Sequence, residues 1–420
     1  MLTPSFFKKN RFYVSQKLDT NSIAFVNSND ELPRNGDQNH IYRQNSDLFY
    51  LTGINQEQTL LVLSPNHIDE NKREILFIRP TNKHLETWEG TKLTPKEASE
   101  ISGIKNVKLL SELDSILPDL MFYAQNVYLS LNENLGYSRY YNDADLRFLN
   151  NLKIKYPLHI FKRLSPIIVS KRLIKTTEEI EVLKKAIELT NKAFIRVLKF
   201  TKPDIIEYEI EAEITHEFIR NGVKNHAYQP IVASGKNACI LHYTPNDKPC
   251  KNGDLILMDF GAEFNNYAAD LSRTIPVNGK FSDRQKSVYQ SVLNVQKKAI
   301  ELMTVGKTIN ILNDEVGKIM QTELIKLNLL SEKEAENPLA YKKYYMHGTS
   351  HFLGLDVHDV GTKDTKFEAG MVLTCEPGIY IEEENIGVRL ENDILITDSK
   401  PVDLMSNIPI EISDIEKLMS

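Results

Sequence analysis

LILMDFGAEFNNYAADLSRT, residues Leu255 to Thr274, is the stretch on which the fold turns. An apolar run reaches Asp259, a polar turn follows, and a second run contains Ala268-Ala269 with Asp270 directly after it. Two short β-rich segments around a polar turn make a hairpin, expected here over Asp254 to Gly261 and Tyr267 to Ile275. With the turn placed between Phe264 and Asn265, Asp259 and Asp270 become cross-strand neighbours on one face. Like charges about 5 Å apart in a half-buried site are destabilising unless one takes a proton or a cation compensates both. A divalent metal is the simplest solution. An acidic pair at a lone hairpin is ordinarily a solvated edge, so the inference needs support from elsewhere in the chain.

Upstream, Thr176 and Glu179 form a capping box, and Ile180, Leu183, Ile187, Phe194 and Val197 follow at helical spacing. A second helix is expected from Asp204 to Arg220, before Asn221-Gly222. Downstream, Ser282 with Gln285 caps a helix that stops near Gly306, another starts near Thr308, and strands follow from Met371 to Ile396. Helix, helix, strands therefore occurs twice, which suggests an internally doubled α+β layer. Before residue 165, β-rich runs (Ile23 to Val26, Thr59 to Leu63, Glu74 to Ile78, Val127 to Ser130) alternate with helical stretches such as Ser111 to Tyr123. That pattern predicts a smaller α/β domain over residues 1–170 and a second domain over 171–420.

The chain has 420 residues, 41% of them apolar and 26% charged, an ordinary globular balance. Its net charge of −6 leaves no basic excess for a phosphate backbone or an anionic membrane. No nucleic-acid partner is expected, and no apolar run approaches the roughly 20 residues that span a bilayer. Lys8, Lys9 and Arg11 interrupt the first residues, so no secretory leader is read there. Cys239, Cys250 and Cys375 lack CxxC spacing and fit neither a disulfide framework nor a thiolate metal site; the expected compartment is the cytoplasm. Trp88, the sole tryptophan, is assigned no role.

Three further stretches bear on chemistry. MHGTSHFLGLDVHD places His347, His351 and His358 within twelve positions of a chain with ten histidines, with Gly348 and Gly354 between them. Imidazole is the commonest nitrogen ligand and a proton shuttle near neutral pH. MVLTCEPGIYI sets Glu376 at the end of an apolar strand, before Pro377-Gly378, while Cys375 faces the other side as core packing. In IGVRLENDILI, Arg389 and Glu391 share a strand face. Four carboxylates, Asp259, Asp270, Glu376 and Glu391, balance two divalent cations, and His351 adds one neutral nitrogen. Oxygen-rich ligation with one imidazole suits Mn²⁺ first, then Co²⁺, Fe²⁺ or Zn²⁺. Two such ions about 3.5 Å apart bridge a water, lower its pKa and polarise a carbonyl, which describes a hydrolase.

In that order, Asp259, Asp270, His351, Glu376 and Glu391 resemble the ligands of the dinuclear-metal peptidases with the pita-bread (creatinase/aminopeptidase) fold. CILHYTPND with His242, HGTSHFLGLDVHDVG, EPGIYI, GVRLEND and the N-terminal YRQNSDLFYLTG are similar to the aminopeptidase P (Xaa-Pro aminopeptidase) family, so the resemblance covers nearly the whole chain. It implies an α+β architecture: a C-terminal pita-bread domain preceded by a smaller α/β N-terminal domain. It implies that Asp259 binds one metal, that Asp270 and Glu391 bridge both, and that His351 and Glu376 complete the second. Glu376 would also handle the nucleophile's proton. His242 and His358 would line the pocket near the scissile carbonyl and the leaving prolyl nitrogen, which needs a proton as the C–N bond breaks. His347 and Arg389 would support the site, Arg389 by holding Glu391 or a neighbouring carboxylate, and Tyr380 would line the prolyl pocket. The implied reaction is attack of a metal-bridging hydroxide on the X-Pro bond of a peptide with proline at position 2, by a homo-oligomer (dimer or tetramer). Prolidase shares the ligands but takes dipeptides only. A non-catalytic pita-bread binding protein would typically lose ligands, and none of the five is missing. The segment Ile381 to Val388 is shorter than in many bacterial relatives, which bears on peptide length at that rim.

Overall fold

In the computed structural model, which describes residues 2–133 and 142–420, the chain divides into two units, Met1–Arg172 and Leu173–Ser420. The N-terminal unit is built on a six-stranded sheet in the order Val107–Leu109, Glu74–Ile78, Leu60–Leu63, Ser22–Asn27, Asn126–Leu129, Ile160–Arg163. The three central neighbours Glu74–Ile78, Leu60–Leu63 and Ser22–Asn27 pair antiparallel, and the outer pairs run parallel. Alternate strand residues such as Ile23, Phe25, Val62 and Phe77 pack with Leu117, Leu120 and Leu149 of the covering helices into one core. The sequence reading found the inner strands and missed the helix Pro4–Lys17. Its inner face includes Asn10 and Arg11, polar residues that dilute the apolar pattern. Both are buried because backbone carbonyls satisfy them: Asn10 donates to Tyr50 O at 3.1 Å, and Arg11 to Leu51 O at 2.8 Å and Ser102 O at 2.9 Å. Trp88 is 78% exposed on the helix Lys83–Glu89.

In the C-terminal unit the helices Thr177–Phe200 and Glu207–Arg220 precede the strands Ile231–Ser234, Leu255–Phe260 and Leu271–Pro276. The helices Asp283–Leu302 and Ile309–Lys326 then precede Val372–Cys375, Gly378–Ile381, Ile386–Arg389 and Asn392–Leu395. The repeated order is therefore present. Thr176 and Ser282 each close a capping box with Glu179 and Gln285. The second helix starts three residues later than expected, since Asp204 takes a left-handed conformation (φ 71°) and ends the preceding loop. Among the described residues no helix is long and apolar enough to cross a membrane.

The hairpin differs from expectation in register. Asp259 lies opposite Ser272, Phe260 opposite Leu271, and Phe264 opposite Tyr267, so the turn is centred on Asn265-Asn266. Both asparagines have positive φ, 48° and 64°, as a two-residue turn matched to strand twist requires. Asparagine tolerates that region better than most residues, and Asn-Asn is a weaker turn signal than Asn-Gly. The slip is two residues, so Asp259 and Asp270 keep one face but sit diagonally rather than opposite.

Close strand approach holds this geometry. A Cβ added at Gly261 would lie 1.7 Å from Ala269 O, a backbone atom. Gly261→Ala is expected to destabilise the fold by about 1–3 kcal/mol through forced backbone displacement, read as a lower denaturation midpoint; an unchanged midpoint would show that the strands part freely.

Candidate active site

The two halves of the C-terminal unit meet edge to edge at the hairpin. Asp270, Ser272 and Thr274 alternate onto one strand face. Glu391 donates its backbone N–H to Ser272 O (3.1 Å), and Arg389 donates its own to Thr274 Oγ1 (3.2 Å). Behind them Arg273, fully buried, donates to Glu391 O at 2.7 Å, Asn392 Oδ1 at 2.8 Å and Pro409 O at 3.0 Å. Burial lowers its pKa to about 10. The histidine segment lies along Val372–Cys375: Thr374 N–H donates to His351 O (2.9 Å), and Glu376 N–H to Thr349 O (2.9 Å).

These contacts bring Asp270, His351 and Glu391 together, with one ligand atom of each within 4.8 Å of the others. His351 Nε2 is 3.3 Å from Asp270 Oδ2 and 3.8 Å from Glu376 Oε1. Asp259 joins them through Tyr228, whose hydroxyl lies 2.5 Å from Asp259 Oδ1 and 2.5 Å from Asp270 Oδ1. One phenolic proton cannot serve both acceptors at once. Arg389 spans the site: it donates to Asp259 Oδ2 (2.7 Å), Ser272 Oγ (2.8 Å) and Tyr380 OH (3.1 Å), and Ser272 donates on to Glu391 Oε2 (2.7 Å). Of the carboxylates considered for Arg389, the one it touches is Asp259.

Burial, then the charge of Asp259, holds Asp270 well above the ordinary carboxylate range. Burial and neighbouring acids raise Glu391 and Glu376 in the same direction. Buried acids pushed toward neutrality by one another, with one imidazole among them, are the donor chemistry that a divalent cation relieves. The residues present fit a divalent metal centre.

A cavity of about 380 Å³ opens over this cluster, lined by Asp259, Asp270, His351, Glu376 and Glu391 together with Tyr228, His242, His347, His358, Arg389 and the apolar Ile231, Leu241 and Val357. His242 and His358 are exposed at it, and the His358 ring sits 4.3 Å from the His351 ring. His347 Nδ1 is 3.7 Å from Glu376 Oε2; burial, then the charge of Arg389, lowers its pKa to about 3, so it is a neutral imidazole at pH 7. Tyr380, expected as a pocket wall, is instead buried behind His347. Its hydroxyl contacts His347 Nε2 (2.8 Å) and Arg389, which turns the ring inward. Cys375 is fully buried, and burial pushes its thiol up, away from nucleophilic use.

Sequence reasoning missed Tyr228, Ser272 and Arg273. Ser272 had a signal, since period-two alternation puts it on the face of Asp270. Tyr228 had none, because it comes from a loop before Ile231–Ser234, and only folding carries it to the hairpin.

The profile of metallopeptidase family M24 matches residues 181–398, and that of the aminopeptidase P N-terminal domain matches residues 7–128. The Xaa-Pro aminopeptidase of Haemophilus influenzae is 37% identical to the chain, over 99% of it and 97% of the relative. The Xaa-Pro aminopeptidase of Escherichia coli is 36% identical, over 98% and 97%. The solved structure of Escherichia coli aminopeptidase P with the inhibitor Pro-Leu superposes with a TM-score of 0.91 at 35% identity, covering 100% of this chain and 98% of that one. The architecture is thus a C-terminal pita-bread domain after an aminopeptidase P N-terminal domain. From its matched halves and its full-length relatives, the chain belongs to metallopeptidase family M24, in the aminopeptidase P branch, and is a metallohydrolase with aminopeptidase activity.

Proposed function

We propose that the protein releases the N-terminal residue from peptides whose second residue is proline, with two divalent metal ions as its cofactor. The observation that carries this reading is the convergence of Asp270, His351 and Glu391 within 4.8 Å, on a cavity shared with His242, His347 and His358. Asp259, Asp270, His351, Glu376 and Glu391 would hold the ions, with Asp270 and Glu391 common to both. Oxygen donors with one imidazole favour Mn²⁺ over Co²⁺, Fe²⁺ or Zn²⁺. When bound, the ions supply Lewis acidity at the scissile carbonyl and a water of lowered pKa.

The remaining work falls to side chains of the chain itself. Glu376 takes the proton that the nucleophile gives up. That proton then reaches the prolyl nitrogen by way of His242 and His358, which are exposed to the cavity and face the scissile carbonyl; without it a tertiary amide leaves badly. His347 stays neutral and, with Tyr380, steadies Arg389, which holds Asp259 in place. Ile231, Leu241 and Val357 offer an apolar wall for a pyrrolidine ring. Three free cysteines suit a reducing compartment such as the cytoplasm, where we propose a homo-oligomeric enzyme, dimer or tetramer.

Peptide length tests the reading. With Mn²⁺ added, an X-Pro-X tripeptide and longer X-Pro peptides are expected to lose their first residue, and matched X-Ala peptides to survive. Cleavage of X-Pro dipeptides alone would make the protein a prolidase. No stoichiometric Mn²⁺, Co²⁺, Fe²⁺ or Zn²⁺ after reconstitution, together with no cleavage of any X-Pro peptide, would make it a binding protein.

A further inference from the structure

We propose that Glu207 is a positioning residue for His242 and that it acts on turnover only through that imidazole. The inference rests on His242 facing the peptide as proposed above. Glu207 is the first residue of the helix Glu207–Arg220 and is fully buried. A helix N-terminus favours a negative charge, but a buried carboxylate also needs hydrogen-bond donors. Glu207 has five, all neutral: Oε1 accepts from Ser234 N (2.7 Å), Ser234 Oγ (2.6 Å) and Asn237 Nδ2 (3.3 Å), and Oε2 from Tyr243 OH (2.8 Å) and Lys248 N (3.0 Å). Its own backbone N–H donates to Lys248 O at 3.0 Å.

These donors bracket His242 in the chain. Ser234 and Asn237 precede it, Tyr243 follows at once, and Lys248 closes the segment. Between Ser234 and Lys248 the only regular element among the described residues is the single 3₁₀ turn Gly235–Cys239. His351 is held along a strand; His242 has no such ladder, and Glu207 Oε1 holds the flank before it while Oε2 holds the flank after it. A carboxylate suits the task because its two oxygens accept at about four lone-pair sites and donate at none. Glutamine in its place would turn an NH₂ group toward the three donors of one oxygen or the two of the other and release that flank.

A double-mutant cycle on the metal-loaded full chain tests this, with kcat and KM measured on an X-Pro-X tripeptide. Glu207→Gln is expected to lower kcat on the order of 10²-fold, as a misplacement of about 1 Å does, with metal content unchanged. In a His242→Ala background the same substitution is expected to cost less than about twofold. Equal losses in both backgrounds would overturn the proposal, since a merely structural residue acts additively. Should Glu207→Gln not fold, Tyr243→Phe, which removes one donor and leaves four, enters the same cycle with the same criterion. Hydrogen exchange gives a readout independent of activity. In the variant, amides of residues 240–244 are expected to exchange faster while Leu255–Phe260 keeps its protection. Unchanged exchange at 240–244 would overturn the clamp even in an active enzyme. Faster exchange at 240–244 in the variant, beside a wild-type chain that cleaves no X-Pro peptide, would defeat the functional reading and leave the clamp supported.

Discussion

Asp270→Ala is expected to abolish metal loading at one or both positions, and peptidase activity with it. Asp270 is 4% exposed and sits where the contacts converge: beside His351 Nε2, beneath the Tyr228 hydroxyl, and with its backbone N–H on Asp393 Oδ2 at 3.3 Å. An alanine there leaves Glu391 and Asp259 with no acid between them. The loss should exceed the roughly 10–100-fold that removing a residue supporting a metal ligand costs. Metal analysis of the dialysed variant beside the wild-type protein, with cleavage of an X-Pro tripeptide, gives the result. Retention of both ions would refute the bridging role. Circular dichroism separates metal loss from unfolding.

His358→Ala should show the opposite division: turnover lowered by roughly 10²–10⁴-fold, as loss of a general acid or base produces, with metal content near that of the wild type. The ring faces the cavity 4.3 Å from the His351 ring and lies outside the cluster of Asp270, His351 and Glu391. Proton transfer to a leaving prolyl nitrogen needs such a group, near the ions but not spent on them. If the variant lost metal in proportion to its activity, His358 would be reassigned as a ligand.

Much of this site was legible in the sequence because its residues occupy short, punctuated stretches. Asp259, Glu376, Arg389 and Glu391 lie on or beside strands, where alternation assigns the face. Glycine and proline mark where those strands break. What was misread followed from local chemistry that sequence pattern underdetermines. Asn265-Asn266 takes a turn for which Asn-Gly is the stronger sign, and the register moved by two residues. The resemblance put Tyr380 at the prolyl pocket, but Arg389 and His347 hold its hydroxyl, and likeness of motif cannot show which partner captures a side chain.

The N-terminal unit shows the same limit. Its central strands were found because they are uniformly apolar, whereas the helix Pro4–Lys17 was hidden by Asn10 and Arg11. A polar residue reads as exposed until the carbonyls that satisfy it are known.

The sequence by itself determined the two-part α+β organisation, the doubled order of helices and strands, and an acid-and-imidazole set matched in charge to divalent cations, because periodicity, caps and charge are local properties of the chain. The tertiary structure alone decided how those groups meet: that Tyr228 joins Asp259 to Asp270, that Ser272 passes a hydrogen bond from Arg389 to Glu391, and that Glu207 grips both flanks of His242. Each of these is a contact between segments distant in the chain, set by strand register and by which buried donor finds which acceptor, and neither is written in any one stretch of residues.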